Sequence, residues 1–441
     1  MSSLAAYPYT ARAVFALTLC LLAGAQTAVR AQSCTDCPPT SNMLISEFRF
    51  GVGSTAPNAD LDEYIELYNN TEAPLTVTTS DGSEGWALVA ADGQTRFVVP
   101  AGTIIPVRGH YLGVNSAGYS LVNYGGTGTT AGDATYTTDI PLISGVALFN
   151  TANPANFTLA NRLDAVGASS VPFLYRENGL TTLPVSSGST NYFHARSLAT
   201  GLPRDTGDNE NDFVLVSPNP DFGAIMGTPG PENLASPVQR NLQIKASSID
   251  PGSPASCTNA ILACERVRDT TPNPGNFSTF GTLSIRRRFT NHTGQAVTRL
   301  RFRVVDITTS VGGTGVPAGT ADLRLLSSPD ISVFTSGGGR LDVRGLTREE
   351  PPAQPNGGGL NTSLSAGTVI LALPLAAGAS IDVHFLLGVQ QTGVFGFLVN
   401  VEALPAPVSP APQRLPRKRL APLEAVKERH TNHDLAERGS N

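Results

Sequence analysis

The chain has 441 residues and a formal net charge of −5, which argues against a dedicated nucleic-acid binder because such proteins carry a basic face. At roughly 150 residues per domain, this length exceeds one compact core and gives two domains if they are rich in β-structure. A hydrophobic content of 40% excludes wholesale disorder, and 44 glycines, 33 prolines and only 15% charged residues favour turns and strands over long helices.

The N-terminal segment is typical of a secretory signal peptide. An apolar run over residues 13–25 follows Arg12, is too short to span a bilayer and ends in small residues. Cleavage is expected after Ala25 or Ala31, so residues 1–31 form the predicted leader. Cys20 leaves with that leader, because the residues before it lack the small side chains of a lipoprotein site. We therefore expect a secreted, periplasmic or cell-surface protein whose mature chain has no transmembrane span.

Four cysteines remain after the leader: Cys34, Cys37, Cys257 and Cys264. In an oxidising compartment an even number favours disulfides, most simply Cys34 with Cys37 and Cys257 with Cys264, although three pairings are possible. The alternative is a zinc site, because Cys34 and Cys37 have metal-ligand spacing. Export disfavours the free thiolates that zinc requires, so disulfides are the preferred prediction.

Residues 42–175 alternate apolar and polar side chains as a sheet protein does. Short strands are predicted over 43–50, 62–69, 86–89, 95–99, 111–114, 145–149 and 163–167. Their lengths and the turn residues between them are typical of a β-sandwich, with the strand over 163–167 as its last. Residues 176–237 are predicted to be an irregular closing segment, with a polar loop over 205–213.

A second β-pattern follows over residues 238–404. Strands are predicted over 242–248, 281–290, 299–307, 321–326, 368–373, 381–387 and 396–402. Seven strands fit one antiparallel sandwich, so the predicted fold class is all-β with two immunoglobulin-like sandwiches. Alternation over 299–305 places basic side chains on one face and apolar ones on the other. Residues 405–441 read as a proline-rich linker and a charged, disordered tail.

The sequence carries none of the short motifs of common hydrolases, metalloproteases or phosphate-binding loops. Six histidines are scattered along the chain without a neighbouring carboxylate that would suggest a base or a ligand set. We therefore predict no catalytic residue and no cofactor-binding residue.

Carboxylates gather in two places. One group, Asp60, Asp62, Glu63 and Glu66, surrounds the second predicted strand, where a partly buried carboxylate must find hydrogen-bond donors. The second group fills one loop, and its members are weak calcium candidates: Asp205, Asp208, Asn209 and Asp212. Turn formation explains the loop equally well, because Asp and Asn side chains bind nearby backbone amides.

Several blocks in order carry a family resemblance. Residues 44–48 read LISEF, residues 62–70 read DEYIELYNN, and residues 85–88 read GWAL. Together with the blocks over 99–105 and 109–114, they resemble the lamin tail domain of the bacterial, exported type. The resemblance covers residues 42–170, and the segments over 197–213 and 227–233 extend it to about 234. It implies an immunoglobulin-like sandwich used for binding or scaffolding, without catalytic residues to carry over.

The predicted function is an exported, non-catalytic interaction or structural protein of the bacterial envelope or exterior. The expected partner is an extracellular or envelope protein or a glycan. A hydrolase or carbohydrate-active enzyme is one alternative, with Asp205, Asp208 and Asp212 as its acids and bases. The other is a calcium-dependent adhesion or nucleic-acid module that uses the charged tail and the three arginines over 286–288, which strand geometry would split over two faces.

Overall fold

The computed structural model describes residues 41–51, 59–121, 130–181, 192–198, 202–217, 224–227, 229–236, 243–309, 317–349, 363–365 and 373–405. The predicted leader, Cys34, Cys37, the boundary near Pro237 and the tail after Pro405 lie outside the described residues. The chain is all-β, as predicted, and its only α-helix among the described residues is α1 (Asn209–Asp212). No helix in the described ranges is long and apolar enough to cross a membrane.

Thirteen strands among the described residues build the first half of the chain. They are β1 (Met43–Arg49), β2 (Tyr64–Asn69), β3 (Leu75–Thr76), β4 (Gly85–Ala90), β5 (Thr95–Pro100), β6 (Ile104–Ile105), β7 (His110–Asn115), β8 (Ala134–Tyr136), β9 (Gly145–Phe149), β10 (Arg162–Gly167), β11 (Phe193–Arg196), β12 (Phe213–Ser217) and β13 (Ile225–Met226). Seven form one sheet in the order β13-β12-β11-β1-β2-β7-β8, and four form a second in the order β10-β9-β4-β5. We call this unit the first sandwich.

The core of the first sandwich lies between these two sheets. Because side chains alternate along a strand, β2 sends Ile65 and Leu67 into the core and Tyr64 and Glu66 to the opposite face. The second sheet contributes Trp86 from β4, which is 6% exposed. A register shift in β1 between Ile45 and Glu47 lets both Ile45 and Phe48 reach the core.

The prediction of an irregular segment over residues 176–237 is wrong, and β10 is not the last strand of the unit. Strand β11 pairs with β1, β12 pairs with β11, and β13 joins β12 in parallel. These strands have four, five and two residues. Such short runs give too little alternation to be recognised, and pairing with β1 supplies the hydrogen bonds that hold them.

The second half of the chain forms two further sheets and a hairpin. The strands are β14 (Ile244–Ser247), β15 (Arg266–Asp269), β16 (Thr282–Asn291), β17 (Val297–Ile307), β18 (Asp322–Leu326), β19 (Ile331–Phe334), β20 (Arg340–Val343), β21 (Thr347–Glu349), β22 (Ser363–Ser365), β23 (Ser380–Gln391) and β24 (Phe397–Pro405). One sheet has the order β14-β16-β23-β18, with β15 also on β16, and the other has the order β21-β22-β17-β24. We call this unit the second sandwich.

The long predicted strands of the second sandwich are confirmed. The strand predicted over 368–373 lies almost wholly outside the described residues, whereas β15, β19, β20, β21 and β22 were not predicted. In β17, Leu300, Phe302 and Val304 enter the core, so the predicted apolar face is confirmed. The split of the three arginines is also confirmed, because Arg287 pairs across the sheet with Val383 while Arg286 and Arg288 face the other way.

The predicted disulfide between Cys257 and Cys264 is confirmed, with 5.3 Å between the two Cα atoms. It closes a loop before β15 that packs on the β19–β20 hairpin, where Ala263, Val333 and Val343 form a small core of their own. The loop also binds β16, since the Arg286 guanidinium donates to the Leu262 carbonyl at 2.8 Å.

Candidate functional site

The outer face of the seven-stranded sheet carries two carboxylates among its apolar side chains. Glu47 of β1 and Glu66 of β2 lie directly opposite each other in the antiparallel register. Both are buried, so each needs hydrogen-bond donors. The Tyr64 hydroxyl donates to Glu47 at 2.6 Å, and the Ser46 hydroxyl donates to Glu66 at 2.5 Å.

The connecting segment, residues 229–236, supplies the remaining donors. The Gly230 backbone N–H donates to the Glu47 carboxylate at 3.0 Å, and the Glu232 backbone N–H donates to Glu66 at 2.6 Å. Leu234 continues the pattern by donating its N–H to Asp133 at 3.0 Å. The connecting segment is therefore held on the sheet face by carboxylates rather than by strand pairing.

The Glu232 side chain turns from this sheet toward the second sandwich. Its carboxylate pairs with Arg301 and lies 2.7 Å from Arg303, both on β17. Glu402 of β24 pairs with the same two arginines, at 2.9 Å from the Arg303 Nε. Arg301 and Arg303 of the predicted basic face of β17 are thus buried against carboxylates rather than exposed to solvent.

His110 completes the group between two carboxylates. Its Nε2 lies 3.4 Å from Glu66, and its Nδ1 lies 3.3 Å from Glu232. Burial lowers the pKa of His110 well below its ordinary value, and the charges of Arg303 and Arg301 lower it further. The expectation that no histidine has a carboxylate neighbour is wrong for His110.

We call these seven residues the junction cluster: Glu47, Glu66, His110, Glu232, Arg301, Arg303 and Glu402. Burial raises the pKa of Glu47 to about 7 and raises that of Glu66 well above its ordinary value, with neighbouring carboxylates adding to the shift at Glu66. Burial opposes ionisation of Glu402 too, but the two arginines outweigh it and lower its pKa. Four carboxyl groups face two guanidinium groups, so protons kept on Glu47 and Glu66 bring the cluster close to neutrality.

The junction cluster also contains the one group of metal-ligating side chains among the described residues. Glu66, His110 and Glu232 place ligand atoms within 4.8 Å of one another. However, the two ring nitrogens of His110 face different carboxylates, so one ion could use only one of them. A cation would also compete with Arg303 for Glu232. The donor set therefore suits charge compensation better than metal binding.

Little space remains beside the junction cluster. A cavity of about 70 Å³ is lined by Tyr68, Arg108, His110, Asn400 and other residues of the cluster. This volume is enough for a few water molecules. The carboxylates and the imidazole of the junction cluster therefore lie beside a space of only a few water molecules.

The calcium candidates predicted in the loop over 205–213 belong to a second buried network. Asp212 accepts hydrogen bonds from the Thr206 backbone N–H at 2.8 Å and the Thr206 hydroxyl at 2.7 Å. Arg196 lies 3.5 Å from both Asp205 and Asp212, and it binds Asp164 through both carboxylate oxygens. Burial raises the pKa of Asp205 to about 6.

Asp208 and Asn209 serve the backbone of the same loop. Asp208 is the N-cap of α1 and accepts from the Glu210 N–H at 3.1 Å. Asn209 is buried, accepts from the Glu177 N–H at 2.9 Å and donates to the Ala165 carbonyl at 2.9 Å. The four candidates do not converge on one point, and their oxygens bind groups of the chain itself.

The other predicted carboxylate group, around the second predicted strand, also binds groups of the chain itself. Asp62 accepts from the Ser120 N–H and lies 3.3 Å from Arg49. Glu63 accepts from the Gly51 and Ile140 N–H groups at 2.9 and 2.8 Å. Burial raises the pKa of Glu63 to about 8. The prediction that buried carboxylates of this strand find structural donors is confirmed.

No protein-family model, curated protein or solved structure matches the chain. The resemblance to the lamin tail domain therefore stays a prediction from the sequence blocks. Little in the sequence points to the junction cluster, since its members come from six separate segments. The feature of the sequence that could indicate this cluster is a charged residue at an outward position of an otherwise apolar strand, such as Glu66 in β2 and Arg301 in β17.

Proposed function

We propose that the protein is an exported, non-catalytic binding or structural component of the bacterial cell envelope or exterior, built on a lamin-tail-like first sandwich. The apolar leader pattern and the cysteine pair of the second sandwich support export. The expected partner is a protein or a glycan of that compartment.

The observation that carries the proposal is how the buried ionisable groups are used. Glu47 and Glu66 hold the backbone of the connecting segment, and Glu232 pairs with arginines of the second sandwich. An active site needs such groups beside a space for substrate. Here the adjacent cavity is about 70 Å³, so the perturbed groups serve cohesion between the sandwiches.

A second consideration concerns the loop that the hydrolase alternative would use. A pair of glycosidase carboxyl groups needs a gap for sugar and water between them. Asp212 is fully buried, and Asp205 faces the buried guanidinium of Arg196. This environment favours a structural role for the loop, and the outer faces and loops of the two sandwiches are then the surfaces for recognition.

The test uses the purified chain without its predicted leader, residues 32–441. It is incubated with peptidoglycan sacculi, a glycan array, duplex DNA and envelope protein fractions, and in parallel with chromogenic esterase, phosphatase, nuclease and glycosidase substrates. Saturable binding to one envelope component without turnover supports the proposal. Turnover that persists through repurification and is lost in folded Asp205→Asn or His110→Gln variants would overturn it.

Export is tested separately with the full chain. Expression with its own N-terminus in a bacterial host, followed by fractionation, should place the processed protein outside the cytoplasm. Deletion of residues 13–25 should retain it inside. An unprocessed full-length protein in the cytoplasm would contradict the exported role.

A further inference from the structure

The core of the second sandwich is open along one side. A cleft of about 770 Å³ lies between β24 and the strands β14, β15 and β16 of the facing sheet. Its apolar lining includes Phe289, Phe385, Phe395, Phe397, Val399 and Val401. A cleft of this size, lined mainly by aromatic and aliphatic groups, is typical of a binding site.

The burial of neighbouring strands shows what the cleft lacks. Phe302 and Val304 of β17 are 0% exposed. Their cross-strand partners on β24, Val401 and Val399, point the same way but are only partly buried. Adjacent strands are about 4.8 Å apart, so the change from fully buried to partly buried side chains occurs between β17 and its neighbour β24. One further strand beside β24 would restore it.

Strand β24 offers the edge on which such a strand could form. It ends its sheet and, among the described residues, pairs only with β17. Edge strands are usually guarded by charges, prolines or bulges. The stretch over 397–401 contains no charged residue and no proline, and Leu398 is 48% exposed. Val394, just before the strand, is 79% exposed.

The facing edge adds positive charge to the mouth of the cleft. Arg266 of β15 lies opposite Ile285, on the face of the sheet that looks into the cleft. Its guanidinium lies 6.0 Å from the centre of the Phe395 ring. Neither Arg266 nor Lys245 of β14 forms an ion pair with any residue that the structure describes, whereas the nearby Arg287 pairs with Glu265 at 3.1 Å. Two cations without an ion-pair partner among the described residues, beside an apolar cleft, favour a ligand that brings a carboxylate.

We propose that an extended segment of a partner protein adds to the edge of β24, sends alternate apolar side chains into the cleft and places an acidic side chain against Arg266. Main-chain hydrogen bonds to β24 give such a complex affinity, and the cleft selects the side chains. An anionic amphiphile would fill the cleft, but it would leave the backbone groups of the β24 edge unpaired. The inference rests on the proposed binding role and names its surface and partner class.

The experiment selects partners with a display library of random peptides of about twelve residues on the immobilised chain over residues 32–441. The expected result is enrichment of sequences that alternate apolar residues and contain Asp or Glu. The most enriched peptide is then synthesised and titrated calorimetrically. Hydrogen exchange should show new protection of backbone amides over residues 397–403 when that peptide is bound.

Charge reversal at the cleft provides the matched pair of variants. Arg266→Glu should weaken binding of the selected peptide by about tenfold or more, because an acidic partner then meets a like charge. Arg340→Glu, at an exposed arginine outside the cleft lining, should leave the affinity unchanged. Equal circular dichroism spectra establish that both variants are folded.

Three outcomes would overturn the inference. The first is that the selection enriches no peptide sequence. The second is that the enriched peptides bind the Arg266→Glu variant as tightly as the wild type. The third is that decanoate binds in a way that depends on Arg266 while no peptide is enriched. A concentration-dependent dimer that protects residues 397–403 would assign the edge to a second copy instead. If no peptide binds at β24 but the protein still binds an envelope component, the inference is wrong and the proposed function is retained. If the protein turns over a substrate, the proposed function is wrong and the inference about β24 is unaffected.

Discussion

The Glu232 carboxylate lies 2.7 Å from the Arg303 guanidinium, and both groups are buried between the two sandwiches. Glu232 belongs to the connecting segment, whose backbone is held on the first sandwich, whereas Arg303 belongs to β17 of the second. The chain between the two units is therefore part of their contact. Ion pairing at this position couples the stability of one sandwich to the other.

Glu232→Gln should lower the free energy of unfolding by about 3 to 5 kcal/mol, because two buried guanidinium groups lose a compensating charge. Urea unfolding should be followed by circular dichroism and by fluorescence. Trp86 is the only tryptophan and lies in the core of the first sandwich, so its fluorescence reports on that unit. We expect both signals to shift to lower urea.

Asp342→Asn is the control for Glu232→Gln. Asp342 pairs with Arg340 on the β19–β20 hairpin, with the two side chains 72% and 66% exposed. Removal of an exposed pair should cost less than about 1 kcal/mol. Equal losses in the two variants would mean that the junction cluster contributes no more than a surface ion pair.

The pH dependence of stability should reveal the proton held by Glu47. Burial raises its pKa from 4.5 to about 7, so between these values the folded protein keeps a proton that the unfolded chain has lost. The free energy of unfolding therefore falls as pH rises through this window, by up to about 1.4 kcal/mol per pH unit. Glu47→Gln removes the titration, so the stability of the wild type relative to this variant should decline from about pH 4.5 to 7.

Groups that do not interact with Glu47 are removed by taking the difference between the two proteins. Burial lowers the pKa of His384 to about 4, which gives a contribution of opposite sign in both. Parallel curves for the wild type and Glu47→Gln would contradict the raised pKa of Glu47.

Much of the fold could be predicted because long strands show alternating apolar and polar residues and are bounded by turn residues. Strands β1, β2 and β17 have six to eleven residues, and their predicted positions match the structure. Strand β11 has four residues, and it forms only because the edge of β1 is available. Strands β11, β12 and β13 are not predicted for this reason, since tertiary pairing decides such short elements.

The candidate site was predicted less well, because it depends on contacts over long sequence distances. Residues 232 and 303 are far apart in the chain, and no motif spacing links them. The alternation of β17 did predict a basic face, but not the carboxylates that bury it. In contrast, the clustered carboxylates over 205–212 were visible in the sequence, and their spacing reflects a helix cap and a buried arginine.

Asp208→Ala should destabilise the first sandwich by about 1 kcal/mol, the usual cost of losing an N-cap. The expected result is a Trp86 fluorescence transition at lower urea than in the wild type. Millimolar calcium should not raise the melting temperature above that in EDTA, because the oxygens of this loop already bind the chain's own donors. A calcium-dependent rise that Asp208→Ala abolishes would establish a calcium site in the loop.

Replacement of both Cys257 and Cys264 by serine should destabilise the second sandwich by about 2 to 3 kcal/mol, because the bond closes a short loop in the unfolded chain. The variant keeps Cys34 and Cys37, so any effect of those residues is common to both proteins. Circular dichroism should show the loss, while the Trp86 signal reports the first sandwich separately. Reduction of the wild type with dithiothreitol should reproduce the loss, and reduction of the double variant should leave the second sandwich unchanged. Equal stability of the wild type and the double variant under oxidising conditions would show that the disulfide contributes nothing to this fold.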